Sequence, residues 1–261
     1  MGFLTIILLF LTGIVAGIFG GLLGIGGGAI MLPMTRFAFS FSPSIAVGTT
    51  LVAVIFTAVA GTYQHWKMGN VDWKSVRYIA PAGVVGVIIG SILFYLIKDY
   101  HELIDLILGI VFTPIAASMI YEGLFLREKP DPPGKTMGGN IPLKAGIGGG
   151  VGIFTGMSGL GGGFIMVPAF VYFLRSPVKV AIGSSMASFV WFALVGGIIK
   201  ISQGLCDVPA AFAMGFGAVG GALIGARLCS RIRPATLKTI FGFIFLYVSL
   251  KYILSYFGVN I

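Results

Sequence analysis

Residues 21–33 read GLLGIGGGAIMLP and residues 156–168 read GMSGLGGGFIMVP, with 8 of 13 positions identical at an offset of 135. The register continues on both sides without a gap. It pairs Gly17 with Gly152, Gly48 with Gly183, Gly61 with Gly196, Gly69 with Gly204 and Asp72 with Asp207, then Gly86 and Gly90 with Gly221 and Gly225. AVGTT at 46–50 faces AIGSS at 181–185. Chance likeness between apolar stretches does not hold register over such a run. The chain reads as a duplication: a first repeat at 1–126, a polar linker at 127–141 and a second repeat at 142–261.

Composition fixes the medium. Of 261 residues, 57% are hydrophobic and 10% charged, with a mean hydropathy of +1.03, whereas soluble chains carry about 25% charged residues. The expected fold class is an all-α polytopic protein of the cytoplasmic membrane, in contact with the lipid bilayer. A transmembrane barrel would alternate apolar and polar residues, and runs such as 45–60 do not. The net charge of +9 comes from short clusters between apolar spans, with no basic stripe interleaved with aromatics, so no nucleic-acid partner is expected. The first charge is Arg36, which argues against a cleavable signal peptide. Cys206 and Cys229 make no disulfide framework and lack metal-ligand spacing.

Spans are expected near 3–19, 44–63, 76–97, 103–121, 142–155, 178–199, 208–228 and 236–257. Two further apolar pieces, 29–40 and 164–174, are each under about 20 Å long at ~1.5 Å per residue. They read as broken or re-entrant helices. If only the eight spans count, the 17 Lys and Arg divide evenly between the two sides. If the short pieces also reverse the chain, only Arg36, Lys98, Lys200 and Lys251 stay on one side and the other bases gather opposite, as the cytoplasmic bias of Lys and Arg requires. That predicts an inverted 5+5 repeat.

Each short piece follows a glycine cluster. Glycine lets a backbone leave helical geometry, and a half-helix that begins at such a break points unpaired N–H groups and a positive dipole end inward. Two facing ends make an anion site. The candidates are Gly24, Gly26, Gly27 and Gly28 with their counterparts Gly159, Gly161, Gly162 and Gly163. Gly86, Gly90, Gly221 and Gly225, spaced by four, read as helix-packing positions. Gly24 to Ala29 formally fits a dinucleotide fingerprint, but that motif needs an acid about 20 residues on and the first acid is Asp72. Thr49, Thr50, Ser184 and Ser185 either donate to an oxyanion or cap and back-bond within helices. Pro33 and Pro168 are expected to kink or end the short helices.

All eight acids fall at expected span ends or in loops, so no mid-span carboxylate suggests a cation pump or proton relay. Arg36 and Lys200 are expected to snorkel at an interface, and His65 and His101 to lie there too. No enzyme, cofactor or metal is expected, because no nucleophile–base pair or ligand set sits at membrane depth.

The duplicated G-x-G-G-G…P pattern (Gly24–Pro33, Gly159–Pro168), the AVGTT/AIGSS segments and GNVDW at 69–73 resemble the sulfite exporter TauE/SafE family over residues 10–257. The resemblance implies a permease, an exporter of sulfite or of small organosulfonates such as sulfoacetate. Its motifs carry onto Gly24, Gly26–Gly28, Pro33, Thr49, Thr50 and their counterparts Gly159, Gly161–Gly163, Pro168, Ser184 and Ser185. The hydroxyl pair is Thr-Thr in one copy and Ser-Ser in the other, so the site need not be symmetric. The runner-up is a passive anion channel, or a permease for another small anion such as a carboxylate. The sequence sets no oligomeric state.

Overall fold

A computed structural model describes residues 2–124, 134–228 and 234–257, so much of the expected linker (127–133), like Cys229, lies outside the described residues. The described residues form helices and no strands. In chain order these are α1 Phe3–Leu23, α2 Gly28–Pro33 with a π-helical turn Met34–Ala38, α3 Pro43–Lys67, α4 Trp73–Ile97 and α5 His101–Leu124. There follow α6 Ile141–Ser158, α7 Gly163–Phe173, α8 Val178–Ser202, α9 Val208–Leu228 and α10 Pro234–Tyr256. Among them α1, α3, α4, α5, α8 and α9 are long and apolar enough to cross a membrane.

Local chemistry sets the boundaries. Proline opens α3 and stands in the first turn of α6, where a missing N–H costs nothing. Asp72 caps α4 by accepting from the Lys74 and Ser75 amides, and Asn140 caps α6 by accepting from Leu143. α1 and α6 end alike. Gly24 (φ 73°) and Gly159 (φ 67°) take the left-handed conformation, and their amides donate to the Gly20 and Thr155 carbonyls at 2.9 Å. A side chain at either position would strain that cap. Pro33 closes α2, and the chain runs on into the π-turn; Pro168 lies within α7.

Small residues let helix backbones touch. Along α1 and α9, Gly13, Gly17 and Gly21 lie on Met214, Ala218 and Ala222, while Gly217, Gly221 and Gly225 lie on Phe10, Ile14 and Ile18. The numbering rises together, so the two helices are parallel. Gly148, Gly152 and Gly156 of α6 likewise lie on Ile79, Gly83 and Val87 of α4, with Gly86 and Gly90 returning the contact. In both seams a methyl would meet an opposing backbone carbonyl, so these glycines serve close packing, as their spacing predicts.

At the centre α3 and α8 are antiparallel: Gly48 lies by Lys200, Leu51 by Gly196, Gly61 by Met186 and His65 by Gly183. Thr49 meets Asp207 and Phe56 meets Gly215, so α9 runs with α3. Since α1 also runs with α9, α1 and α3 point the same way. The chain between Leu23 and Pro43 therefore returns across the bundle as a broken segment.

α5 and α10 pair antiparallel, with Gly109 on Ile253, Gly242 on Ile120, and Thr113 hydrogen-bonded to Ser249 at 2.7 Å. One ion pair ties them to the first break. Arg36, on the π-turn, donates from Nε to Asp105 Oδ1 at 3.1 Å and from Nη2 to Oδ2 at 2.6 Å, and Ser255 of α10 also donates to Oδ2. The expectation that Arg36 snorkels at an interface is corrected here, because its guanidinium is held in this ion pair. Asp105 is in the first turns of α5, yet α10 and the π-turn cover it until its side chain is 2% exposed.

Candidate functional site

The two glycine breaks meet in the interior. Residues 20–29 and 158–163 are all buried. Gly28 lies on the Leu160 carbonyl, Gly163 on the Gly24 carbonyl and Ile25, and a Cβ at Gly161 would stand 3.2 Å from the Ile25 carbonyl. Phe189 of α8 fills the angle between them. Its ring would be 3.0 Å from a Cβ at Gly26 and 3.0 Å from one at Gly161, and it is 1% exposed. Phe189 is the twelfth of 25 residues in α8, so the breaks abut half-way along a membrane-length helix.

Several backbone amides at this point lie outside the hydrogen bonds of the caps and short helices. Across the first break, Gly24 donates to Gly20, and Ile30 and Met31 donate to Gly27; the amides of residues 25–28 take no part in these bonds. Across the second, Gly159 donates to Thr155, and Ile165 and Met166 donate to Gly162, while Leu160 reaches the Ser158 hydroxyl at 3.4 Å. The amides of 161–163 stand outside this set. α2 with its π-turn covers 6 and 5 residues, and α7 covers 11. Both short helices thus begin at the contact and run away from it.

Three hydroxyls that sequence reasoning missed lie beside the breaks. Thr57, Thr155 and Ser188 are fully buried, with no hydrogen-bond partner among the described residues. Thr57 Cγ2 would lie 2.9 Å from a Cβ at Gly20, Thr155 Oγ1 3.3 Å from one at Gly162, and Ser188 precedes Phe189. A buried hydroxyl left unpaired costs about 1–3 kcal/mol. Three around one junction favour a ligand bearing acceptors. The repeat offset matches them to Phe192, Gly20 and Ala53, so a search for paired polar positions passes over them.

The expected hydroxyl pairs divide between two tasks. The first of each clamps the loop before another helix, α9 or α4: the Asp207 amide donates to Thr49 Oγ1 and the Asp72 amide to Ser184 Oγ, both at 2.9 Å. The second of each touches a break element. Ser185 donates to the Ile182 carbonyl at 2.8 Å and the Gly24 carbonyl at 3.2 Å, while Thr50 Oγ1 lies 3.5 Å from Thr35 Oγ1 on the π-turn. The helix back-bonding alternative thus describes part of Ser185, whereas Thr49 and Ser184 accept from distant loop amides. Asp72 also accepts from the Met137 amide at 2.8 Å, which fastens the end of the linker.

Two further expectations are corrected. Lys200 and His65 are 0% exposed rather than interfacial, because the loops after α8 and α3 fold back over these helix ends: the Leu205 and Asn70 amides donate to the Lys200 and His65 carbonyls. Cys206 sits in the loop before α9; burial raises its thiol to about 11, against a smaller lowering by the Thr49 hydroxyl. It therefore stays protonated and unreactive at neutral pH.

Long apolar helices, close-packed glycine seams and two interrupted helices meeting at mid-span define a multi-pass membrane transporter. Residues 9–252 match the sulfite exporter TauE/SafE family, and the chain belongs to it. It is 30% identical over 253 residues to the probable membrane transporter protein YjnA of Bacillus subtilis, covering 93% of this chain and 98% of that one. It is 26% identical over 268 residues to YunE of the same organism, another probable membrane transporter protein, covering 96% and 98%. A probable membrane transporter protein of Xylella fastidiosa is 30% identical over 237 residues, 88% of each chain. No solved structure matches the chain.

Proposed function

We propose that the protein carries a small sulfur oxyanion, sulfite or an organosulfonate such as sulfoacetate, by alternating access around the junction of the two glycine breaks. The observation that carries this is the junction itself: amides of residues 25–28 and 161–163 outside the local hydrogen bonds, with three unpartnered hydroxyls beside them. Such donors suit a sulfur centre that presents several acceptor oxygens. In a membrane interior, backbone groups of this kind must find partners in protein, water or substrate. The name of the matching family, sulfite exporter, agrees.

We take repeats 1–126 and 142–261 as inverted copies. In support, matched helices α3 and α8 are antiparallel, as are α5 and α10, and the seam of α1 with α9 has its counterpart in that of α6 with α4. Rocking one copy against the other would expose the junction to each side in turn. Export of a doubly charged anion could run on the membrane potential alone, at about 2.3 kcal/mol per charge per 100 mV.

The test is counterflow of ³⁵S-sulfite in proteoliposomes of the purified chain. Saturable exchange is expected, with sulfoacetate competing at lower concentration than acetate. Flux linear in concentration would mean a passive channel, and stronger competition by acetate a carboxylate permease; either contradicts the proposal.

A further inference from the structure

Position 200 in the second copy matches position 65 in the first. Both carry a base, Lys200 and His65, and both are 0% exposed near the ends of the antiparallel pair α8 and α3. Each lies against the start of the other helix, beside a hydroxyl pair. A Cβ at Gly48, next to Thr49, would be 3.3 Å from Lys200 Cβ, and a Cβ at Gly183, next to Ser184, would be 3.0 Å from His65 Cβ. Gly183 and Lys200 are 17 residues apart on α8, or roughly 25 Å at ~1.5 Å per residue. The two bases thus stand near opposite ends of a seam whose middle holds Phe189 and the glycine junction.

Neither is satisfied. Among the described residues Lys200 Nζ has no hydrogen-bond acceptor and no carboxylate within ion-pair reach, and it stands over the Phe94 ring, 3.6 Å from the centroid. His65 Nε2 lies 3.1 Å from the Gly21 carbonyl, and its Nδ1 has no partner among the described residues. A ring face recovers only part of what withdrawing an ammonium from water costs. A purely structural lysine here would be better replaced by an apolar residue.

We propose that Lys200 is an anion-binding station at one end of the transport path, with His65 the matching station at the other. This rests on the oxyanion reading above. As the α3–α8 seam opens toward Lys200, the ammonium leaves the Phe94 face and pairs with the oxyanion passing between that end and the junction. The lysine ammonium supplies positive charge there; the histidine supplies a single N–H donor at the opposite end, the one that now lies on the Gly21 carbonyl.

The test uses the full chain in proteoliposomes and ³⁵S-sulfite counterflow, comparing wild type, Lys200→Arg and Lys200→Met, with thermal stability of each measured in detergent. Lys200→Met is expected to raise the sulfite KM at least tenfold while its Tm stays level or rises. Lys200→Arg should stay within about threefold of wild-type KM, since a guanidinium retains the charge. Lys200→Met with wild-type KM would overturn the proposal. So would a fall in Tm and flux shared by both variants, which would make the site structural. Wild type without saturable counterflow would instead remove the oxyanion reading beneath it.

Discussion

Gly163→Ala is expected to abolish transport and to lower stability by about 3 kcal/mol, the upper part of the usual cost of overpacking. The added methyl would fall on the Gly24 carbonyl oxygen and Ile25 Cα. Both are backbone, held by the left-handed cap of α1 and by Ser185, so neither can rotate aside. The two breaks would have to separate, and the amides beside them would lose their common focus. Gly150→Ala makes the matched control: it is also a helical glycine, in α6, but a methyl there meets none of the described residues within 4 Å. It should transport as wild type and gain up to about 1 kcal/mol from helix propensity. Thermal unfolding in detergent and sulfite counterflow on both variants check the pair. Equal activity would show that contact between the breaks is immaterial.

Asp105→Ala should cost about 3 kcal/mol, seen as a lower Tm and a smaller maximal flux. Removing one member of a buried ion pair strands the other, and Arg36 is the group that would be stranded. Its side chain is 22% exposed, so water recovers part of the loss and the effect belongs at the lower end of the range for buried pairs. Arg36 is on the turn that continues α2, and Asp105 with Ser255 belongs to α5 and α10, so the pair fixes the first short helix against the outer helices. The double variant Arg36→Leu/Asp105→Leu should lose much less, because no charge remains without a partner. A double variant as unstable as Asp105→Ala would mean that packing, not charge, accounts for the loss.

What the sequence revealed and what it hid follow from the range of the interactions. Apolar length and the glycine clusters are local signals, and the helices and breaks lie close to where those signals put them. The offset of 135 is long-range but repeats many times, so it too was legible. The environments of Lys200, His65 and Asp105 were not. Hydropathy along one dimension puts residues near a helix end at an interface, whereas here Leu205, Asn70 and the π-turn fold over them. Thr49 and Ser184 stood out through pairing and Thr57, Thr155 and Ser188 did not, although the latter lie beside the breaks; a lone hydroxyl in an apolar span carries no mark until its neighbours are known. Phe189 is matched by Val54 in the first copy, so the residue in contact with both breaks breaks the symmetry that exposed them.

The most direct measurement is amide hydrogen exchange on the purified chain with and without saturating sulfite. If donors at the junction hold the anion, exchange should slow in peptides covering residues 21–33 and 156–168, while peptides from α5 and α10 remain unchanged. Sulfite that slows exchange only elsewhere, or leaves both glycine segments unaltered while saturable flux persists, would contradict an anion site between the two breaks.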